Sequence, residues 1–142
     1  MKNKKAFSLV ELLVVVSIIG IISVVAAVGF SKAQKDGRDR RRIDDLKSIQ
    51  NAAEQVAMLS GTYPTTAASY LVTSPAWTVR GQVVLAKIPG DPKGNTSYLT
   101  SGISASGYCV CATVENTKNS NAENSSCSFT NSTNYYCVRN QQ

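Results

Sequence analysis

The sequence contains no histidine and only nine acidic residues among its 142 positions. Histidine is the side chain whose charge changes most readily near neutral pH, so its absence removes the usual general acid or base. No arrangement of residues resembles a nucleophilic or metal-dependent catalytic site. We therefore predict that the chain is not an enzyme and that it uses no cofactor and no metal.

Charge is also missing from residues 12 to 31, which are 20 consecutive positions. An α-helix of that length measures about 30 Å, the thickness of a bilayer's hydrocarbon core. The many Val and Ile residues weaken a helix in water, but in lipid only a helix satisfies the backbone of a single span. The run therefore predicts a membrane-spanning helix.

Glu11 lies at the start of this apolar run. A carboxylate in hydrocarbon is costly unless it is paired, so an acid at this position predicts a functional partner. A secretory signal peptide, cut after Ala27-Val28-Gly29, or an uncleaved anchor would leave Glu11 unexplained. Seven basic residues follow the span and favour a cytoplasmic C-terminal part, which conflicts with any retained span whose C-terminal part lies outside the cytoplasm; the resemblance described next overrules this charge count.

A third interpretation explains Glu11 through a resemblance carried by residues 5–13, KAFSLVELL. This segment resembles the prepilin signature of type IV pilins and type II secretion pseudopilins, although Ala6 stands where the family usually has glycine. The resemblance implies that a prepilin peptidase cuts between Ala6 and Phe7 and that Phe7 becomes N-methylated. It also implies that Glu11 compensates the charged amine of Phe7 on a neighbouring subunit during assembly.

An amphipathic stripe continues beyond the apolar run, because proline is absent before Pro64 and apolar residues recur every three or four positions. We predict one helix from about Ser8 to Leu59, ended by Gly61 and Pro64. The stripe consists of Ile43, Leu46, Ile49, Ala53, Val56 and Leu59.

Strand-forming segments follow the helix at residues 76–85, 97–100, 108–114 and 135–139, with turn residues between them. The prediction is an α+β pilin fold, in which the amphipathic half of a long N-terminal helix packs on a small antiparallel sheet. The expected divisions are a leader (1–6), an apolar helix (7–31), an amphipathic helix (32–60) and a β-rich head (61–142).

Four cysteines, Cys109, Cys111, Cys127 and Cys137, lie in the last third of the chain. An even number in an exported head predicts two disulfides. Pairing of Cys109 with Cys111 is disfavoured because their backbones lie about 6.5 Å apart in a strand. Two crosswise pairings stay open. The alternatives are a four-thiolate zinc site, for which the paired CxxC spacing is missing, and thiols that stay free and buried.

Two polar segments are open to several interpretations. Residues 38–45 mix basic and acidic side chains, and the spacings Asp39 to Arg42, Arg40 to Asp44 and Arg41 to Asp45 favour a salt-bridged helix face or a subunit contact over binding of lipid or DNA phosphates. Residues 116–134 are rich in Asn, Ser and Thr and predict a solvated loop. N-x-S/T, the acceptor pattern for N-linked glycosylation, begins at Asn95, Asn124 and Asn131. In a sequence rich in Asn, Ser and Thr such matches arise mostly by chance.

The family resemblance implies a structural function. The processed chain is expected to be a subunit of a type IV pilus-like filament; the alternatives are the major pseudopilin of a type II secretion system, or a minor pilin that binds DNA or surfaces. Expected partners are the prepilin peptidase, copies of the chain and related pilins, the assembly machinery, and membrane lipid before assembly. The expected location is the cytoplasmic membrane, crossed once with the head outside the cytoplasm, and then a filament at the cell surface or in the periplasm.

Overall fold

The computed structural model describes residues 7–130 and 133–141, apart from the side chains of residues 27 and 28. Helix α1 covers Leu9–Ser60 and confirms the predicted helix within one residue at each end. The chain forms two compact units, one up to Gln34 and one from Lys35 onward, and each is described by itself below.

Glycine ends the long helix, as the sequence predicts. Gly61 has a φ of 84°, and its backbone N–H donates to the carbonyl of Ala57 at 2.8 Å. This left-handed cap satisfies one of the carbonyl groups that lack a partner at a helix C-terminus.

The second unit holds two small antiparallel sheets. The first is a hairpin, in which Arg80 and Gly81 form the turn with φ values of 52° and 79°. The strands are β1 (Trp77–Val79), β2 (Gln82–Leu85), β3 (Leu99–Ser104), β4 (Gly107–Thr113) and β5 (Tyr135–Arg139). The hairpin consists of β1 and β2, and the second sheet has the order β3-β4-β5, with β4 in its centre.

The strand predictions are confirmed for the central and last strands, whereas the two earlier segments differ in detail. The segment from residue 76 to 85 forms a hairpin, because the chain reverses at Arg80 and Gly81. The strand expected at residues 97–100 begins at Leu99 and continues to Ser104, where its register with β4 is irregular.

The amphipathic stripe of α1 supplies one side of the core. Leu46, Ile49 and Ala53 are fully buried, and they belong to the same apolar cluster as Tyr108 and Val110 of β4. The alternation in β4 places its cysteines in a separate cluster on the other face. The predicted α+β architecture, a long helix with a small antiparallel sheet, is therefore confirmed.

Substituting the two helix glycines tests the cap. Gly61→Ala should lower the free energy of unfolding by about 1 kcal/mol, because an L-residue is strained in the left-handed region. Gly37→Ala should raise it by up to about 1 kcal/mol, because Gly37 lies in the exposed helix interior with open space around it. Urea unfolding of the full chain in detergent, followed by the fluorescence of the single Trp77, measures both. Equal effects of the two substitutions would contradict the cap.

Candidate functional site

The N-terminal residues predicted for processing and assembly lie at the start of α1. The side chain of Phe7 is 84% exposed, and Glu11 is exposed in the first turn, where the helix dipole favours an acid. Within residues 7–130 and 133–141, Glu11 forms no ion pair. Ala6, the other half of the predicted cleavage site, lies outside the described residues.

The described side chains of the apolar run that follows Glu11 are exposed. Among its described large apolar side chains Val15 is the least exposed, at 48%, and Val25 is 70% exposed. The helix contains a window with mean hydropathy 2.9, none of which is buried. By length and composition, this helix can cross a membrane. Such a surface is stable only in lipid or against other protein chains.

The carboxylate of Asp39 organises the next part of the chain, in the second unit. Asp39 is fully buried and accepts hydrogen bonds from the backbone N–H groups of Glu115 and Asn116, at 2.9 and 2.8 Å. It also accepts from Asn119 at 3.2 Å and from Nη1 of Arg42 at 2.8 Å. The four bonds compensate the burial of this charge and hold the loop after β4 on the helix.

Arg42 extends this network to a second loop. Its guanidinium is almost fully buried and donates two hydrogen bonds to Asp91, from Nε at 2.6 Å and from Nη2 at 3.1 Å, and one to Glu115 at 3.1 Å. Arg38 forms a second bidentate pair with Glu115, with both bonds at 2.7 Å. We call these five residues, Arg38, Asp39, Arg42, Asp91 and Glu115, the helix–loop network.

The network lowers the pKa values of two of its acids. Hydrogen bonds from Arg38, and secondarily from Arg42, lower the pKa of Glu115 to about 2, although partial burial opposes the shift. Burial raises the pKa of Asp91, but the hydrogen bonds from Arg42 and from the Lys93 N–H outweigh that effect and leave the pKa below its ordinary value. Both carboxylates are therefore charged at neutral pH.

The predicted salt-bridged face is wrong in two of its three pairs. Asp39 and Arg42 do pair, but in the described chain neither Arg40 with Asp44 nor Arg41 with Asp45 forms an ion pair. The Asp45 carboxylate instead accepts a hydrogen bond from the Tyr98 hydroxyl at 2.7 Å. Tyr98 competes successfully for Asp45 because it holds the acid without ordering a second long side chain, whereas Asp44 is exposed, where an ion pair contributes little.

The Asn-rich segment is also less solvated than its composition predicts. Its first residues form a 3₁₀ turn, Thr117–Asn119, held on the helix by Asp39. The Asn121 side chain pairs with the backbone of Cys137 through bonds of 3.0 and 2.7 Å. Asn95 and Asn124 are exposed, whereas Asn131 lies outside the described residues.

The four cysteines form two disulfides in one of the crosswise arrangements that the sequence left open. Cys109 pairs with Cys127 and Cys111 with Cys137, at Cα separations of 5.9 and 4.1 Å. The bonds link β4 to the polar loop and to β5, across 18 and 26 residues of sequence. Loops of this length give about 3 kcal/mol of stabilisation each. Each of the four sulfurs is bonded within one of these two disulfides, so in this oxidised form they offer no thiolate for the four-thiolate zinc alternative.

A buried carboxylate secures the C-terminal end of the chain. Glu54 accepts hydrogen bonds from the hydroxyls of Tyr63 and Tyr108, at 2.9 and 3.2 Å, and from the backbone N–H of Gln141 at 3.0 Å. Burial, followed by the hydrogen bond to Glu54, raises the pKa of Tyr63. The tyrosines therefore stay neutral and act as donors at neutral pH.

The hydrogen bonds of the helix–loop network also determine what the cavity beside it can do chemically. A cavity of about 360 Å³ lies beside the helix–loop network, and its charged side chains Arg42, Asp91 and Glu115 are already bound to one another. Groups held in this way position loops and are poorly suited to exchange protons with a substrate. The arrangement therefore supports a structural function for these residues.

Comparison with known proteins bears on the N-terminal site and on the chain as a whole. The family described as the prokaryotic N-terminal methylation motif matches residues 1–27, which include Phe7 and Glu11. The type II secretion system core protein G of Vibrio cholerae serotype O1 is 28% identical over 109 residues, which cover 72% of this chain and 75% of that protein. No solved structure matches the chain significantly.

Acid should weaken the head through the helix–loop network. The pKa of Glu115 is about 2 in the folded chain and ordinarily 4.5, so the unfolded chain binds more protons between these values and stability falls as the pH falls. In that window Glu115→Gln should take up about one proton fewer on unfolding than the wild type. Urea unfolding in detergent at several pH values measures the slope. The matched control is Glu123→Gln, which changes an exposed acid outside the network; an unchanged slope in Glu115→Gln would contradict the assignment.

Proposed function

We propose, for a chain that belongs to the type IV pilin and type II secretion pseudopilin family, that it polymerises through its N-terminal helix into a type IV pilus-like filament. Members of this family are structural subunits. The observation that carries the proposal is the exposed apolar part of α1, a surface that needs other helices or lipid around it. The same residues match the N-terminal methylation motif.

In the first proposed step the subunit is inserted in the cytoplasmic membrane, with the head outside the cytoplasm. A prepilin peptidase cuts between Ala6 and Phe7, and the new amine of Phe7 is methylated. The exposure of Phe7 supports this step, because a peptidase needs the adjoining backbone accessible. The apolar run then moves from lipid into contact with the helices of other subunits, so its cover changes from hydrocarbon to protein.

Assembly is proposed to depend on an ion pair between subunits. The carboxylate of Glu11 is exposed in the first helical turn and has no ion-pair partner among the described residues of its own chain. In a filament core of low dielectric constant, the positive amine of Phe7 on a neighbouring subunit would compensate that charge. The pair would fix the axial register, because an unpaired carboxylate in the core is costly.

A second candidate is the major pseudopilin of a type II secretion system. The similarity to core protein G of Vibrio cholerae favours it. The two functions predict different effects of losing the subunit. Loss of a pilus subunit removes filaments from the cell surface, whereas loss of a pseudopilin blocks the release of secreted proteins. Deleting the gene and measuring both surface filaments and secreted protein in the same cells distinguishes them.

Removing the Glu11 carboxylate tests the assembly step. Glu11→Ala should be cleaved and retained in the membrane, but filament yield should fall at least ten-fold, because the amine of the neighbouring Phe7 is left unpaired. Quantifying sheared filaments against total membrane protein measures the change. Glu123→Ala, which removes an exposed acid of the head, is the control and should assemble normally. Normal filaments from Glu11→Ala cells would overturn the proposed role of Glu11.

A further inference from the structure

The fold separates charges that alternate along the sequence in the second unit. Between residues 35 and 47, three of the four acids are turned to partners in the head. Asp36 accepts a hydrogen bond from the Asn116 side chain at 2.7 Å, Asp39 is buried in the helix–loop network, and Asp45 is bonded to Tyr98. Asp39 is therefore withdrawn from the surface of the helix, and Asp36 and Asp45 are only partly exposed there.

The basic residues of the same segment divide differently. Arg38 and Arg42 are engaged with acids of the head. Lys35, Arg40, Arg41 and Lys47 are exposed and form no ion pair in the described parts of the chain, and the first three lie nearest the apolar run. Asp44 is the exposed acid of this segment, so the solvent-facing surface is strongly positive.

The same asymmetry extends over the rest of the unit. From residue 35 onward nine of the eleven basic residues are exposed, whereas only Asp44 and Glu123 are exposed among the eight acids. The net charge of the sequence understates the positive charge of the surface, because burial and pairing remove mostly acids. An anionic partner is therefore favoured over a cationic or neutral one.

We propose that Lys35, Arg40 and Arg41, which we call the basic collar, bind anionic phospholipid headgroups of the membrane that the apolar run enters. Lipid is favoured because these residues closely follow the apolar run, which ends at Ser31. At about 1.5 Å per helical residue, the nine steps from Ser31 to Arg40 cover no more than about 14 Å along the chain. Headgroups extend about 5 to 8 Å beyond the hydrocarbon, and the charges act over a Debye length of about 10 Å.

Other occupants fit the basic collar less well. Residues 32–47 contain no aromatic side chain on which bases could stack, which disfavours single-stranded nucleic acid. A second copy of the head offers only two exposed acids, so it supplies little complementary charge. The proposal rests on membrane anchoring and does not depend on filament assembly.

Native mass spectrometry of the full chain, released from detergent with equal phosphatidylglycerol and phosphatidylcholine added, tests the proposal. The wild type should retain phosphatidylglycerol in preference to phosphatidylcholine. In the triple variant Lys35→Gln, Arg40→Gln, Arg41→Gln this preference should fall at least five-fold, since each basic residue near a charged surface contributes about five-fold to the binding constant. The control replaces the exposed residues Lys87, Lys93 and Lys118 by Gln; it removes the same charge and should keep the preference.

The outcomes separate the possible partners. Loss of the preference in the collar variant alone supports the proposal, provided that thermal unfolding shows an intact head. Equal loss in both variants would mean general attraction by net charge and would overturn it. Retained preference would also overturn it: weaker binding of a DNA duplex by the collar variant would then indicate nucleic acid, and fewer filaments would indicate a contact between subunits. The lipid measurement needs no filament, so failure of the proposed polymerisation is detected separately.

Discussion

The constraint on which the molecule depends is the absence of cover for its apolar helix. Twenty consecutive residues without charge lie in α1, and their described side chains are exposed. Water cannot solvate such a surface without a large hydrophobic cost, so lipid or other helices must surround it. The same constraint explains why Glu11 needs a partner, because the environment that suits the apolar run is hostile to an isolated carboxylate.

The second unit solves a different problem, which is to hold a small head on a helix. Its core contains five buried aromatic side chains, and the fold adds polar restraints: Asp39 and Arg42 hold two loops on the helix, Glu54 holds the last described residues, and two disulfides cross-link the sheet and the polar loop. Because these restraints use most of the acidic side chains of the second unit, the charged side chains that stay exposed are mostly basic. Stability and surface charge are thus consequences of the same contacts.

The sequence predicts the helix, its end and the central strand well, because these depend on periodicity and on local backbone preference. Leu46 and Ile49 are buried as their spacing indicates, and Gly61 adopts the conformation that a cap requires. The hairpin was harder to predict, because its turn places Arg80 at a positive φ that a non-glycine residue seldom adopts.

The charged partners could not be predicted from spacing on the helix. Charged side chains of α1 bind groups that lie 49 to 77 residues away in the sequence, which helical spacing cannot predict. Arg42 donates to Asp91, Arg38 donates to Glu115, and Asp45 accepts from Tyr98. The disulfide pairing likewise depended on which segment lies beside β4. At the N-terminal site, the sequence supplied the motif, and the structure added the exposure of Phe7 and Glu11.

The most direct test of the central claim is the N-terminus of the protein recovered from native cells, measured by mass spectrometry of its first peptide. Prepilin-type processing predicts a peptide that begins at Phe7 and carries one additional methyl group. A peptide that begins at Phe30 would indicate ordinary secretion with loss of the apolar helix, and one that begins at Met1 would indicate an uncleaved anchor. Either result would contradict assembly through the processed N-terminal helix.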